Sequence, residues 1–383
     1  MYPLTIKVIS IFGTRPEAIK MAPLIIKMGQ NPTFESKVCV TGQHRKMLDT
    51  VLDQFSIYPD YDLDLIKQGQ TISDITVRVL LDLKEVLLEV KPNLVIVQGD
   101  TTSTFSAALC AFYLKIPIAH VEAGLRSGNM YSPYPEEMNR ILTSNLASIH
   151  FAPTEGNKKN LINCGINEDN IYVTGNTVID TLSMAVKDDY VFPQPYHFLN
   201  ELDYKSEKII LLTAHRRENW GDNMRNIFLA IKDVLEANVD ARLIYPVHRN
   251  PIVKSLAFEV FSNVERVNLL PPLDYFSFAN LMARCYMLLT DSGGIQEEAP
   301  YLGKPVLVLR QETERPEAVE AGTVRMAGIE RNDISKLADQ LLNDQVEYDS
   351  MAKAVNPYGD GKASERIVSI FCEWFKKLKH VCN

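Results

Sequence analysis

Short, continuously apolar runs, each followed by a polar turn and an amphipathic helical stretch, constrain this chain more than any other feature. In the first half the runs read "IKVISIF" (6–12), "KVCVT" (37–41), "NLVIVQ" (93–98), "PIAHV" (117–121), "IHFAP" (149–153) and "IYVTG" (171–175). In the second they read "KIILLT" (208–213), "ARLIYPV" (241–247), "VERVNLL" (264–270), "YMLLT" (286–290) and "KPVLVL" (304–309). Helical periodicity fills the gaps, as in "ISDITVRVLLDLKEVLLEV" (72–90) and "FSFANLMARC" (276–285). Strands that are apolar on both faces and alternate with helices belong to parallel sheets covered on both sides. The expected fold class is α/β, with doubly wound, Rossmann-like sheets.

A chain of 383 residues exceeds one ordinary core, which predicts two such domains. The rhythm pauses at "KDDYVFPQPYHFLNELDYKSE", so residues 183–206 read as an interdomain segment between an N-terminal domain (1–182) and a C-terminal one (207–363). A second pause, "NPYGDGKAS" (356–364), precedes the amphipathic "ERIVSIFCEWFKKLKH".

Ligands of open parallel sheets bind beyond the carboxyl ends of the strands. The residues that follow the strands are therefore informative. They include Gly13-Thr14-Arg15, Gly42-Gln43-His44-Arg45, Gly99-Asp100-Thr101 and Glu122-Ala123-Gly124 in the first half. The second half supplies His215-Arg216-Arg217-Glu218, His248-Arg249, Asp291-Ser292-Gly293-Gly294 and Glu314-Arg315. Functional groups concentrate on one edge of each domain, and two such edges facing each other would form one polar cleft.

"DSGG" (291–294) ends a strand and opens a helix, where free backbone N–H groups and the dipole favour an anion. The plain alternative is an Asp/Ser N-cap with a tight turn. Glu298 lies one turn after Gly294 on the same face and can accept two hydrogen bonds from a vicinal diol. A ribose next to a phosphate presents both features, which points to a nucleotide. In "FGTRPEAIK" (12–20), Arg15 and Lys20 place cations at a helix start, which opposes the dipole unless an anionic ligand is present. Asp100 after "VIVQG", Glu122 after "AHV" and Glu136 in "YPEEMNR" put acids at several strand ends, which suggests a proton-transfer set. His215 and Arg216 read as ligand contacts, and His248 in "YPVHRN" repeats that arrangement more weakly.

Composition narrows the classes. A net charge of -8 and a pI near 5.5 argue against nucleic-acid or membrane-surface binding. Six scattered cysteines fit reduced thiols better than disulfides or a zinc site. No signal peptide is evident and no apolar run approaches about 18 residues, so the expected location is cytoplasmic. P-loop, nicotinamide, zincin and serine-elbow signatures are absent, so neither a cofactor nor a metal is expected.

"FGTRPEAIKMAPL", "VTGQHRKML", "GDTTSTF", "HVEAGLRS", "YSPYPEEMNR", "TGNTVIDTL", "TAHRRENWG", "LTDSGGIQEEAPYLGKPVLVLR" and "TERPEAVEAGT" span nearly the whole chain. Together they strongly resemble the non-hydrolysing UDP-N-acetylglucosamine 2-epimerases of bacteria. The resemblance implies the two-domain fold of the GT-B glycosyltransferases, with a C-terminal helix (364–383) that completes the first domain, and a homodimer. It implies interconversion of UDP-GlcNAc and UDP-ManNAc at C2, supplying ManNAc for surface polymers such as capsule or teichoic-acid linkages. The C2 proton is not adjacent to a carbonyl, so the expected route is elimination of UDP to a 2-acetamidoglucal and re-addition. By the match, Ser292, Gly293, Gly294, Glu298, Phe278 and Arg315 hold UDP. Arg15, Lys20 and His215 attend the phosphates, and Asp100, Glu122 and Glu136 handle protons. Some members bind a second UDP-GlcNAc as an activator. Gln43, Glu136, Arg216 and His248 match that site, whereas Lys46 and Gly69 stand where relatives often have Gln and Arg. The alternatives are a hydrolysing epimerase that releases ManNAc and UDP, a retaining GT-B glycosyltransferase, and a nucleotide-sugar sensor.

Overall fold

The computed structural model describes residues 5–42, 45–65 and 69–381, except for the side chains at 45–46 and 378–381. The chain forms two compact units, Met1–Ser183 with Tyr358–Asn383, and Met184–Pro357. In the first, seven strands form one parallel sheet in the order β3-β2-β1-β4-β5-β6-β7. They are β1 (Ile6–Phe12), β2 (Phe34–Val40), β3 (Tyr61–Asp62), β4 (Leu94–Gln98), β5 (Ile118–Val121), β6 (Ile149–Ala152) and β7 (Ile171–Val173). In the second, six parallel strands run β10-β9-β8-β11-β12-β13. These are β8 (Lys208–Thr213), β9 (Ala241–Pro246), β10 (Val267–Leu270), β11 (Met287–Thr290), β12 (Val306–Val308) and β13 (Val324–Met326). The expected α/β class with parallel sheets is observed.

The central strands are buried on both faces: Val8, Ile9 and Ile11 of β1, Val95, Ile96 and Val97 of β4, and Ile209 to Leu212 of β8 lie in the cores. Two strands escaped the sequence reading. β3 has two residues and β13 has three, too few for any periodicity to show. β10 starts at Val267 rather than at 264, because Val264 to Arg266 form a turn.

The helix Ala363–Val381 belongs to the first unit. Its Ile367 and Phe371 are fully buried, and the Phe371 ring meets Phe34 and Phe151 edge-on at 6.4 and 5.2 Å. Asp180 fixes its start, accepting from the backbone N–H groups of Ala363 and Ser364 at 3.1 and 2.7 Å. Burial raises the Asp180 carboxyl pKa, while the Ser364 and Ala363 N–H bonds pull it back. The return crosses Gly175, whose φ is +87°; a Cβ there would stand 3.2 Å from the Gly359 Cα, so only glycine suits both the dihedral and the approach.

The stretch expected as an interdomain segment packs on the second unit. Phe192 is fully buried there, the Lys187 N–H donates to Asn280 Oδ1 at 2.8 Å, and the Tyr190 hydroxyl meets Ser277 Oγ at 2.9 Å. These anchors are irregular, which is why the segment reads as unpatterned in sequence. Among the described residues no helix is long and apolar enough to cross a membrane.

Phe371→Ala leaves a cavity beneath β2 and β6 and is expected to lower stability by about 3–5 kcal/mol in a urea titration. A loss under about 1 kcal/mol would show that this helix is not part of the core.

Candidate active site

In each sheet the strand order reverses once, between β1 and β4 in the first and between β8 and β11 in the second. Loops leaving such neighbouring strands part to opposite faces and open a crevice at the carboxyl edge. Arg15 and Asp100 leave the first pair of strands and His215, Arg216, Ser292 and Gly293 the second, while Glu122 and Glu136 follow β5, His248 follows β9 and Arg315 follows β12.

In the first unit, Lys20, Asp100, Glu122 and Glu136 line one pocket of about 500 Å³, together with Thr14 and Thr101. Arg15 opens the helix Arg15–Gly29, which carries Lys20 further along. Thr14 caps that helix in a reciprocal box with Glu17. The buried Glu17 does more than cap. Its Oε2 accepts from the N–H groups of Gly13 and Thr14 at 2.7 and 2.8 Å, and its Oε1 accepts from the hydroxyls of Thr101 and Thr104 at 2.6 and 3.0 Å. One carboxylate thus ties the loop after β1 to the loop after β4. The sequence reading gave Glu17 no role, although T-R-P-E is a capping-box pattern.

Asp100 follows β4 after Gly99. Its Oδ2 accepts from Arg140 Nε at 3.0 Å and Nη2 at 2.5 Å. Arg140 in turn donates through Nη1 to Glu137 Oε2 at 2.8 Å. Glu137 is buried and accepts from the Ser127 N–H at 3.0 Å. Arg140 was missed as a functional residue; its signal was the acid three residues earlier on one helix face. Gly99, before Asp100, is held from below by His120 Nε2 at 2.8 Å from its carbonyl oxygen. Complete burial presses the His120 pKa down to about 3, so this imidazole is neutral at pH 7 and acts as a strut.

Glu122 adopts φ +61°, a left-handed conformation that is costly for a non-glycine residue and tends to be retained at functional positions. Its Oε2 sits 2.5 Å from Lys20 Nζ and accepts from Asn176 Nδ2 at 3.2 Å. Glu136 begins the helix Glu136–Leu146, where the N-terminal dipole favours its carboxylate.

In the second unit, His215 and Arg216 follow β8. Their backbone N–H groups both donate to Asp291 Oδ2 at 2.8 Å, and Asn219 Nδ2 adds a third donor at 3.2 Å. His215 Nδ1 lies 3.3 Å from Asp291 Oδ1. The His248 ring stacks on the His215 ring with centroids 5.4 Å apart and planes within 16°. Desolvation, and then His215, push the His248 pKa below the ordinary imidazole value. His248 also lines a pocket of about 480 Å³ with Arg249, Lys254 and Tyr196.

The "DSGG" turn departs from the plain cap reading. Ser292 occupies the cap position without a side-chain cap bond, and Asp291 reaches back to the loop after β8 instead. The helix Gly293–Glu298 is only six residues long before it tightens into a 3₁₀ turn. Its two carboxylates separate. The buried Glu297 accepts from Arg315 Nε at 2.9 Å, while Glu298 lies over Gly294 and accepts from the Tyr275 hydroxyl at 3.1 Å. Arg315 also donates to Glu314 at 2.9 Å, and its guanidinium lies across Gly293, where a Cβ would come within 2.9 Å of it. Phe278, half-buried, sits on the helix Tyr275–Arg284 that bears Tyr275. Gln43 and the side chain of Lys46 lie outside the described residues.

The sequence matches the family described as UDP-N-acetylglucosamine 2-epimerase over residues 26–372. The chain belongs to that epimerase family. It is 52% identical to the UDP-N-acetylglucosamine 2-epimerase of Bacillus subtilis, over 95% of this chain and 94% of that one. The solved UDP-GlcNAc 2-epimerase of Neisseria meningitidis bound to UDP-GlcNAc is 48% identical, with a TM-score of 0.89 over 96% of this chain and all (100%) of that one. A UDP co-structure of the S. aureus protein MnaA is 46% identical with a TM-score of 0.87, covering 97% of each chain. Likeness to these epimerases gives this enzyme a GT-B-like two-domain fold. Asp100 of the first unit and the Ser292–Glu298 stretch of the second follow strands at the two reversals of order.

Arg140→Met leaves Glu137 buried without its cation and removes the partner of Asp100. The expected loss is about 3 kcal/mol in chemical denaturation at pH 7. A change below about 0.5 kcal/mol would show that Arg140 does not hold the pair.

Proposed function

We propose that this enzyme interconverts UDP-GlcNAc and UDP-ManNAc by eliminating UDP and adding it back. The observation that carries the reading is the single pocket lined by Lys20, Asp100, Glu122 and Glu136 in a member of the 2-epimerase family. Support for the nucleotide sugar comes from relatives whose structures hold UDP-GlcNAc or UDP. Ser292, Gly293, Gly294, Glu298, Phe278 and Arg315 hold UDP on this reading, and Arg15, Lys20 and His215 attend the phosphates.

The chemistry assigns the remaining groups. The C1–O bond breaks with its electron pair leaving on the diphosphate, while a base takes the C2 proton and the C1=C2 bond forms. The 2-acetamidoglucal then accepts a proton at C2 on the opposite face as a diphosphate oxygen re-forms the C1–O bond. Bases and acids are needed on both faces of the ring, and cations must stabilise the departing diphosphate. Asp100 and Glu122 are each aimed by a cation, Arg140 and Lys20. Glu136 projects from a helix start and, among the described residues, has no side-chain hydrogen bond or ion pair; it is the acid left least constrained for a proton shuttle. On this reading the enzyme works in the cytoplasm and its UDP-ManNAc product supplies surface polymers, as the resemblance implies. Gln43, Arg216 and His248 match the activating nucleotide-sugar site of some relatives, from which Lys46 and Gly69 depart.

A homodimer is part of the reading. The helix Ile72–Val90 exposes Val77, Leu81 and Leu88 on one face, and the neighbouring Thr102–Tyr113 exposes Phe112 and Tyr113. Contiguous apolar surface of this kind marks an association face. Leu81→Lys is expected to convert a dimer to a monomer in multi-angle light scattering; a wild-type protein that already runs as a monomer removes the dimer.

The purified protein, incubated with UDP-GlcNAc in D2O without acceptor or metal, is expected to yield UDP-ManNAc with deuterium at C2 of both sugars by NMR. Free ManNAc with UDP would move the function to hydrolysis, and unchanged substrate would favour a transferase or a sensor. Asp100→Asn and Glu122→Gln are each expected to lower turnover by at least ~100-fold with UDP affinity nearly intact. Glu298→Ala is expected instead to weaken UDP binding by about 10-fold or more in calorimetry. Normal turnover in either acid variant removes that residue from the proton set, and unchanged UDP affinity in Glu298→Ala removes the ribose assignment.

A further inference from the structure

Asp291 is fully buried, and its two oxygens have different surroundings. Oδ2 is saturated by the two backbone N–H groups and Asn219, which fixes the carboxylate's orientation. Oδ1 has no hydrogen bond to any described residue and faces the His215 ring nitrogen Nδ1 at 3.3 Å. A buried carboxylate oxygen with one neighbour in reach selects the state of that neighbour, because leaving it unpaired costs desolvation energy. We infer that Asp291 is a positioning residue, which holds His215 in the Nδ1–H tautomer and so presents Nε2 as the ring's working nitrogen. The inference rests on the proposed reading, in which His215 attends the phosphates of UDP.

The described groups near the ring agree with that orientation. The His248 ring stacks on one face of the His215 ring, and its own Nδ1 accepts from the Asn250 N–H at 3.2 Å. Tyr245 from β9 spends its hydroxyl on the Ala214 carbonyl at 2.7 Å, and Trp220 donates to the His215 carbonyl at 3.2 Å, so both secure the backbone rather than the ring. Arg216 adjoins in sequence and is tied to Asp291 through its own N–H. The only carboxylate oxygen described within reach of Nδ1 is therefore that of Asp291. With Nδ1 occupied, Nε2 can accept a proton when bare and donate to a diphosphate oxygen when protonated, so one nitrogen serves both departure and return.

Asp291→Asn exposes the difference between positioning and mere packing. The amide oxygen replaces Oδ2 and keeps the three donors, which places the amide NH2 against Nδ1. Nδ1 must then accept, and the neutral ring is forced to the Nε2–H tautomer. The test uses protein labelled with 15N at histidine, recorded across pH until the rings are neutral, with His215→Gln assigning the signal. Wild type is expected to show Nδ1–H for His215, and Asp291→Asn the reverse tautomer, with kcat down about 10–100-fold. KM for UDP-GlcNAc is expected to change by less than about 3-fold, since the backbone anchor is retained. A wild-type ring that carries its proton on Nε2 overturns the inference whether or not the variant folds. So does Asp291→Asn that keeps wild-type tautomer and kcat. A wild-type ring with Nδ1–H in a protein that does not epimerise supports the tautomer assignment and removes the functional reading instead.

Discussion

A parallel strand buried on both faces has no room for a charged side chain, and this constraint organises the molecule. β1, β4, β8 and β11 are mostly apolar, with Ser10 the buried exception inside β1, so charged groups collect near the strand ends. Strand order then decides which ends diverge. The two reversals of order, one per sheet, put Gly13–Arg15 beside Gly99–Thr101 and His215–Arg216 beside Asp291–Gly293. Register enforces the second juxtaposition, since Thr213 pairs with Thr290 immediately before those loops and their hydroxyls meet at 2.5 Å.

Loops at a sheet edge are mobile unless something buried holds them, and in each unit that something is a carboxylate. Glu17, Glu137 and Asp291 are all buried, and each gathers several donors from loop backbone or neighbouring side chains. Such groups are costly without partners and strongly orienting with them. Above them stand the half-exposed groups fit for chemistry. Asp100 rests on Arg140 and through it on Glu137, and Glu122, strained at positive φ, rests on Lys20 and Asn176. Asp100 is thus aimed by the buried Arg140–Glu137 pair and Glu122 by the partly buried Lys20, whereas Glu136 has no such partner among the described residues.

The alternation of apolar runs was enough to read the parallel sheets and most strands, because burial on both faces leaves a mark in every residue of a strand. β13 and β3 left no such mark at their length. The loop residues were legible as a group, because the edge rule says where polar side chains must collect. The inner carboxylates were not. Glu17 and Glu137 sit beside residues with more obvious roles, and a buried acid looks the same in sequence as a solvated one. The sequence offers Asp291 only a cap role, as the plain alternative to an anion-binding turn, whereas the fold turns it toward the loop after β8, a partner 76 residues away. Contacts of that span depend on strand order, which local pattern does not reveal. His215 and His248 were assigned to separate sites for the same reason, yet their rings stack.

The functional reading depends on whether the bond between the anomeric carbon and UDP is broken and remade without the diphosphate escaping. Positional isotope exchange measures that directly. UDP-GlcNAc carrying ¹⁸O in the bridge between C1 and the β-phosphorus is turned over in the presence of excess unlabelled UDP. The account predicts that the label moves from the bridge into non-bridging positions of the recovered nucleotide sugars and is not diluted by the free pool. Label that stays in the bridge while C2 inverts would contradict it.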